Sequence, residues 1–316
     1  MTKRVPRVFH FVFGLRPQTE SFHLIFYLCL KSCLEVNKPD KIVFHYQNEP
    51  WGPWWERIRH LLELRQILPN RFIESYDYRN ADLNSLRYAH LSDFTRMEAL
   101  YESGGIYADI DTLFVSPLPD AFFEESFVMG KELSEHTEDG QPKTAGSLCN
   151  AWMMGEAGAP FLKLWMEQMV ENFDGSWNNH STLLPYRLSQ EHSELIHVEP
   201  RRSFFHLSCT TPDLERIFFE NNTDLEGVYS IHLWNHLWQN TLWWNRKFLD
   251  LQFLHGNVIT PAYVQFAEST YAILSKRFLP EDIKATRMEY RTQQFLFNAR
   301  AFLSYFPAKL RNRMRR

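Results

Sequence analysis

Apolar runs and amphipathic stretches alternate along the first half of the chain. Val8 to Phe13 is a continuous apolar run broken only by His10, the pattern of a strand buried on both faces. Glu20 to Val36 carries helical spacing, and Lys41 to Tyr46 is apolar again. The same reading predicts a helix over Trp54 to Leu64, a strand over Arg71 to Tyr76, a helix over Leu86 to Tyr101, and a fourth strand through Ile106 to Val115. Strand–helix alternation of this kind predicts an α/β fold with a mostly parallel sheet and helices on both faces. After Asp120 the pattern is mixed. Phe127 to Gly130 and Asn150 to Gly155 read as strands, with a polar loop between them. Pro160 to Asn172 reads as a helix opened by proline, and the chain beyond Thr260 as largely helical. This suggests one main domain over residues 1–260 and a helical C-terminal extension over 261–316.

The fourth strand holds an anomaly, Asp109-Ile110-Asp111, two carboxylates inside an apolar run. Strand residues i and i+2 share a face, so the pair is expected to point one way. Unpaired buried charge is costly, and a hard divalent ion with phosphate oxygens is its natural partner. Upstream, Asp93 and Arg96 are spaced i, i+3 and share a helical face, with Ser92 beside them. Gly104-Gly105 then ends the helix and leads straight into the carboxylates. Asp93, Arg96, Asp109 and Asp111 are thus expected at one end of the sheet, where α/β folds bind ligands. The competing reading is a structural Asp–Arg pair beside a solvated turn.

The segment SDFTRMEALYESGGIYADIDTLFVSPL closely resembles the sugar-binding DXD region of glycosyltransferase family 32. That family includes yeast initiating mannosyltransferases, animal α-1,4-galactosyltransferases and bacterial capsule enzymes. More distantly, the segment is similar to the glucosyltransferase domains of clostridial toxins. The resemblance implies a GT-A, Rossmann-like fold. It also implies a metal-dependent, retaining transfer of a hexose from a nucleotide-sugar donor, with UDP favoured over GDP, to a glycan or lipid-linked acceptor. Asp109 and Asp111 would hold Mn²⁺ or Mg²⁺. Ser92, Asp93, Arg96 and Asp109 would bind the donor. Weaker matches add Phe13 as a stacking residue for the base, Asn150 for the transferred sugar, and the His232-x-Trp234 pair, with His232 as a third metal ligand and Trp234 near the diphosphate. Asn48 is a candidate ribose contact. Each has a plainer reading: Phe13 as core, Asn150 as a turn residue, His232 as a satisfied core histidine. From His232 to Trp238, His and Trp alternate, so a strand would turn all four side chains one way, while a helix would pair His232 with His236. Trp238, Trp243 and Trp244 are candidates for an acceptor groove or for core packing. No residue stands out as catalytic nucleophile or base.

Two rivals use similar residues. A haloacid-dehalogenase-like phosphatase also places Asp-x-Asp after a strand, but Leu113 stands where its Thr or Val belongs. A non-catalytic sugar-binding module needs no diphosphate-neutralising metal.

Composition adds bounds. A net charge of −4 gives no general case for nucleic acid. The four cysteines lack metal spacing, and Cys29 and Cys33 read as buried thiols. No signal peptide or membrane span is legible, which suggests a bacterial cytoplasmic enzyme, and the resemblance to capsule enzymes implies a place in surface polysaccharide synthesis. Residues 290–316 contain seven Lys or Arg, no Asp or Glu, and many aromatics, the pattern of a tail that lies on an anionic inner-membrane face or packs as a terminal helix.

Overall fold

The computed structural model describes residues 4–79, 84, 86–132, 146–208, 210–222, 224–235 and 258–299. Its centre is a seven-stranded sheet of order β3-β2-β1-β4-β7-β6-β8. The strands are β1 (Val8–Val12), β2 (Lys41–Tyr46), β3 (Glu63–Gln66), β4 (Gly105–Ala108), β6 (Phe127–Lys131), β7 (Leu148–Gly155) and β8 (His197–Glu199). Only β7 runs against the rest, being antiparallel to both β4 and β6. A separate two-stranded sheet pairs β5 (Thr112–Phe114) with β9 (Ser230–His232).

Side chains alternate across the main sheet, and each face has its own apolar cluster. Phe9, Phe11, Phe44, Ile106 and Trp152 join helix α1 (Leu24–Asn37) on one side. Tyr107, Met129 and Met153 join the long helix Arg87–Ser103 and the helix Pro160–Met169 on the other. This is the mostly parallel sheet with helices on both faces that the alternation predicted, in the Rossmann-like form that the resemblance implied. Tyr263, Val264, Tyr271 and Phe278, from beyond residue 260, belong to the same buried cluster as β1.

Three local expectations are corrected. The helix expected over Trp54 to Leu64 stops at Ile58, and Glu63–Gln66 instead forms β3, parallel to β2. The strand expected over Arg71 to Tyr76 is a short helix, Arg71–Ser75, because the Asn70 side chain accepts the Ile73 amide at 3.2 Å and caps it. The third concerns the carboxylates. β4 ends at Ala108 and β5 begins at Thr112, so Asp109 and Asp111 flank a turn and do not share a strand face. The turn is closed by the Thr112 amide donating to the Asp109 carbonyl at 3.0 Å.

The double glycine has a steric cause. Gly105 sits at φ +118°, and a Cβ there would lie 2.3 Å from the Val8 carbonyl oxygen. No side chain fits where β4 enters the sheet beside β1.

Candidate active site at the sheet edge

The carboxyl ends of the parallel strands form one edge of the sheet. β4 delivers Asp109 there, and antiparallel β7 brings its first residues to the same edge. The Asp109 amide donates to the Ala151 carbonyl at 2.8 Å, which sets Asn150 alongside. The chain then leaves the main sheet through β5, whose antiparallel register places Thr112 opposite His232. Asp111, one residue earlier, meets the His232 ring as a result. His232 Nε2 lies 3.1 Å from Asp111 Oδ1 and 3.7 Å from Asp109 Oδ2. Asp111 Oδ2 also accepts the Asn235 amide at 2.7 Å. One ligand atom from each of Asp109, Asp111 and His232 falls within a span of 4.8 Å.

Two carboxylates and one imidazole are an O,O,N donor set that suits Mn²⁺ or Mg²⁺. The electrostatics of the cluster ask for a cation. Burial alone would lower the His232 pKa, but Asp111, by charge and hydrogen bond, and Asp109 raise it above the ordinary histidine value. A positive charge between the two carboxylates is therefore favoured, and the donor set fits a divalent ion.

Beside this cluster lies a second network, built on the helix Arg87–Ser103. Arg96 is 5% exposed, and its guanidinium is fully engaged. It donates to the Asn150 carbonyl at 2.8 Å and to Ser92 Oγ at 2.9 Å. It pairs with Asp109 at 3.3 Å and Asp93 at 3.6 Å, and lies over the Tyr107 ring. The Tyr107 hydroxyl donates to Asp109 Oδ1 at 2.5 Å. Burial pushes the tyrosine pKa well up, with Asp109 adding to it against the opposing charge of Arg96, so it stays a donor. Asp93 Oδ1 accepts from Asn150 Nδ2 at 2.7 Å. Burial would raise the Asp93 pKa, but bonds from His180 and Asn150 and the charge of Arg96 bring it below the usual carboxylate range.

The structure thus brings together Ser92, Asp93, Arg96, Asp109, Asp111, Asn150 and His232. It places the other three candidates as follows. Phe13 packs on Phe26 and Phe22, with ring centroids 5.1 and 5.4 Å away, and is only half-buried at the end of β1. Asn48 ties the loop after β2 to the loop after β1, its amide side chain donating to the Gly14 carbonyl at 3.1 Å. Trp234 is buried, and its indole N–H donates to the Leu207 carbonyl at 3.1 Å. It takes φ +52°, so the strand ends at His232 and the expected alternation does not continue as a strand. His236, Trp238, Trp243 and Trp244 lie outside the described residues.

Two members of the site carried no local sequence signal for their role. Tyr107 read only as a strand residue. His180 read only as the middle of an Asn-His-Ser triplet, yet its Nε2 reaches Asp93 Oδ2 at 3.0 Å from 87 residues away. Two clefts of about 560 and 650 Å³ lie off the carboxylate cluster, one against residues 287–298 and the other beside Asn179 and Tyr186.

A Rossmann-like sheet here sets two carboxylates, an imidazole and a buried guanidinium at its carboxyl edge, where α/β folds bind ligands. Residues 27–128 match the family described as "Glycosyltransferase sugar-binding region containing DXD motif". The chain is 32% identical to "Glucan organizing enzyme 1" of Cryptococcus neoformans over 242 residues, 74% of this chain and 63% of that protein. It is 26% identical to a human "Alpha-1,4-N-acetylglucosaminyltransferase" over 193 residues, 56% of this chain and 52% of that one. The matches therefore span roughly half to just under two thirds of these relatives. Among solved structures, "PaToxG Glycosyltransferase" is similar over 60% of this chain and 70% of its own, at 15% identity and a TM-score of 0.40.

Proposed function

We propose that the chain is a metal-dependent, retaining glycosyltransferase that moves a hexose from a nucleoside-diphosphate sugar, UDP first and GDP second, to a glycan or lipid-linked acceptor. The observation that carries this is the joining of two networks at one edge: Asp109, Asp111 and His232 beside Asp93, Arg96 and Asn150. Mn²⁺ or Mg²⁺, when bound, supplies Lewis-acid neutralisation of a leaving diphosphate. Arg96 adds fixed positive charge next to Asp109 and keeps Asp93 and Asn150 in place. Asp93 orients sugar hydroxyls, and Phe13 and Asn48 stand at the ends of β1 and β2 where the nucleoside would lie. Asp109 and Asp93 are each held by donors from the chain, so neither is presented as a free covalent nucleophile.

The test is a screen of UDP- and GDP-sugars for slow Mn²⁺-dependent hydrolysis, followed by Asp111→Asn. This change should abolish turnover and weaken nucleotide binding in Mn²⁺. Full wild-type activity in excess EDTA, or normal turnover of the variant, would overturn the metal role.

An exposed surface supports a membrane-bound acceptor. Residues 287–299 form a helix on which Met288 (70% exposed), Phe295 (70%) and Leu296 (59%) share one outward stripe, at spacing i, i+7, i+8. Arg291 borders the stripe, and residues 300–316 add six further Lys or Arg. Apolar anchors beside a run of basic residues fit an anionic lipid surface. No helix among the described residues is long and apolar enough to cross a membrane. The helix would lie on such a surface at its cytoplasmic side.

A further inference from the structure

His180 sits in a π-helical turn, Asn179–Leu183, and its side chain is 0% exposed. Single turns of this kind often mark functional positions. The backbone is pinned there, since the Trp165 indole N–H donates to the His180 carbonyl at 2.9 Å. The ring is clamped by Phe173, at 4.7 Å between centroids, and by His90, edge-on at 5.0 Å. His90 is itself fixed by a 2.7 Å hydrogen bond between its Nδ1 and the Tyr78 hydroxyl. The imidazole therefore has little freedom, and among the described residues its polar contact is Nε2 to Asp93 Oδ2 at 3.0 Å. Its Nδ1 is buried and finds no hydrogen-bond partner among the described residues. A ring needed only for packing would be better served by phenylalanine, because stranding a buried polar atom costs about 1–3 kcal/mol. What selects histidine here is the bond to Asp93.

We infer that His180 is a positioning residue for the transferred sugar, acting through Asp93. The inference rests on the donor-site reading above. Asn150 holds one Asp93 oxygen and His180 the other, so the carboxylate plane is fixed from two sides. Each oxygen keeps a lone pair for a sugar hydroxyl. Without His180, Oδ2 is free to turn, and the sugar loses its alignment while the diphosphate end, near Asp109 and Asp111, is untouched.

The test compares wild type, His180→Gln and His180→Phe. Glutamine places an N–H donor near the Nε2 position, and phenylalanine keeps the ring without the donor. The probes are the nucleotide sugar that wild type hydrolyses in Mn²⁺ and the matching free nucleoside diphosphate. His180→Phe should lose roughly tenfold to a hundredfold in kcat, the scale of a misaligned reactant, with affinity for the nucleoside diphosphate unchanged. His180→Gln should recover a large part of that loss. Unchanged kcat in His180→Phe, or equal losses in both variants with nucleotide affinity falling in step, would overturn the inference and leave a structural role. Should His180→Phe fail to fold, His180→Gln combined with Asp93→Asn decides. A residue acting through Asp93 adds nothing to the loss from Asp93→Asn alone, and additive losses overturn the inference. A wild type that hydrolyses no nucleotide sugar instead defeats the donor-site reading, and this inference with it.

Discussion

At the residue scale, Arg96 decides how the site is held. Read from sequence, it is either a donor-binding residue or one half of a structural Asp–Arg pair. The structure shows the ion pair, buried at the centre of the network. Its guanidinium is buried against Asp93 and Asp109 and donates to Ser92 and Asn150. Burial works against its charge, but Asp109, Tyr107 and Asp93 outweigh burial and raise its pKa. Arg96→Ala leaves two carboxylates without their partner, and breaking a buried pair in this way costs about 3–5 kcal/mol of stability. Arg96→Lys keeps a charge but cannot fork between Ser92 and Asn150. The expected outcome is a large fall in thermal midpoint for Arg96→Ala, a smaller one for Arg96→Lys, and loss of donor hydrolysis in both. Thermal melts alongside the hydrolysis assay check it, and a fully stable, active Arg96→Ala would refute it.

At the scale of elements, β1 and β2 share a buried pair of histidines. His10 Nε2 faces the Gly104 carbonyl at 3.0 Å, so it carries the proton and donates. His10 Nδ1 then accepts from His45 Nε2, also at 3.0 Å. Two neutral rings thereby join the first two strands to the end of the helix that carries Asp93 and Arg96. Burial lowers the His10 pKa to about 4, with Arg65 and Lys41 adding to it. Burial, then His10 and Arg65, lowers His45 to about 3, and Glu63 opposes this in both. An unfolded chain protonates both near pH 6.5, whereas the folded chain keeps them neutral to far lower pH. Between those values the unfolded state binds more protons, so stability falls as pH falls. The slope is up to about 1.4 kcal/mol per pH unit for each histidine. Urea midpoints at pH 7, 6 and 5 should decline steadily, before most carboxylates titrate. Replacing His45 by Gln should flatten the decline, and a flat profile in wild type would contradict the pairing.

For the whole molecule, the active edge and the exposed stripe of residues 287–299 are separate features, so they can be tested apart. Seven positive charges after Tyr290, each worth about 1 kcal/mol near an anionic surface, add to the exposed Phe295 and Leu296. The chain should sediment with phosphatidylserine-containing vesicles at low salt and less at physiological salt. Phe295→Ser with Leu296→Ser should weaken sedimentation while leaving nucleotide-sugar hydrolysis intact. Failure of the wild type to sediment at low salt would remove the membrane from the proposal. Sedimentation untouched by the double change would take away the stripe's role.

The sequence by itself determined what depends on neighbours along the chain. The buried runs of β1 and β2, the helix carrying Asp93 and Arg96, the double glycine and the two aspartates are all local patterns. The Asn70 cap is local as well, although the apolar pattern over Arg71 to Tyr76 reads as a strand. Weaker matches to the same family, outside the 27-residue segment, then added Asn150 and His232 as candidates. Tertiary structure decided the rest. His232 reaches Asp111 only because β9 pairs with β5 across 121 positions, and His180 reaches Asp93 only because a π-turn packs against the long helix. Asp109 and Asp111 act together through a turn and a strand that leaves the sheet, and no period-two pattern encodes that. Periodicity reports which side of an element is buried. Which remote atoms meet is set by register and packing between elements, and these are properties of the assembled fold.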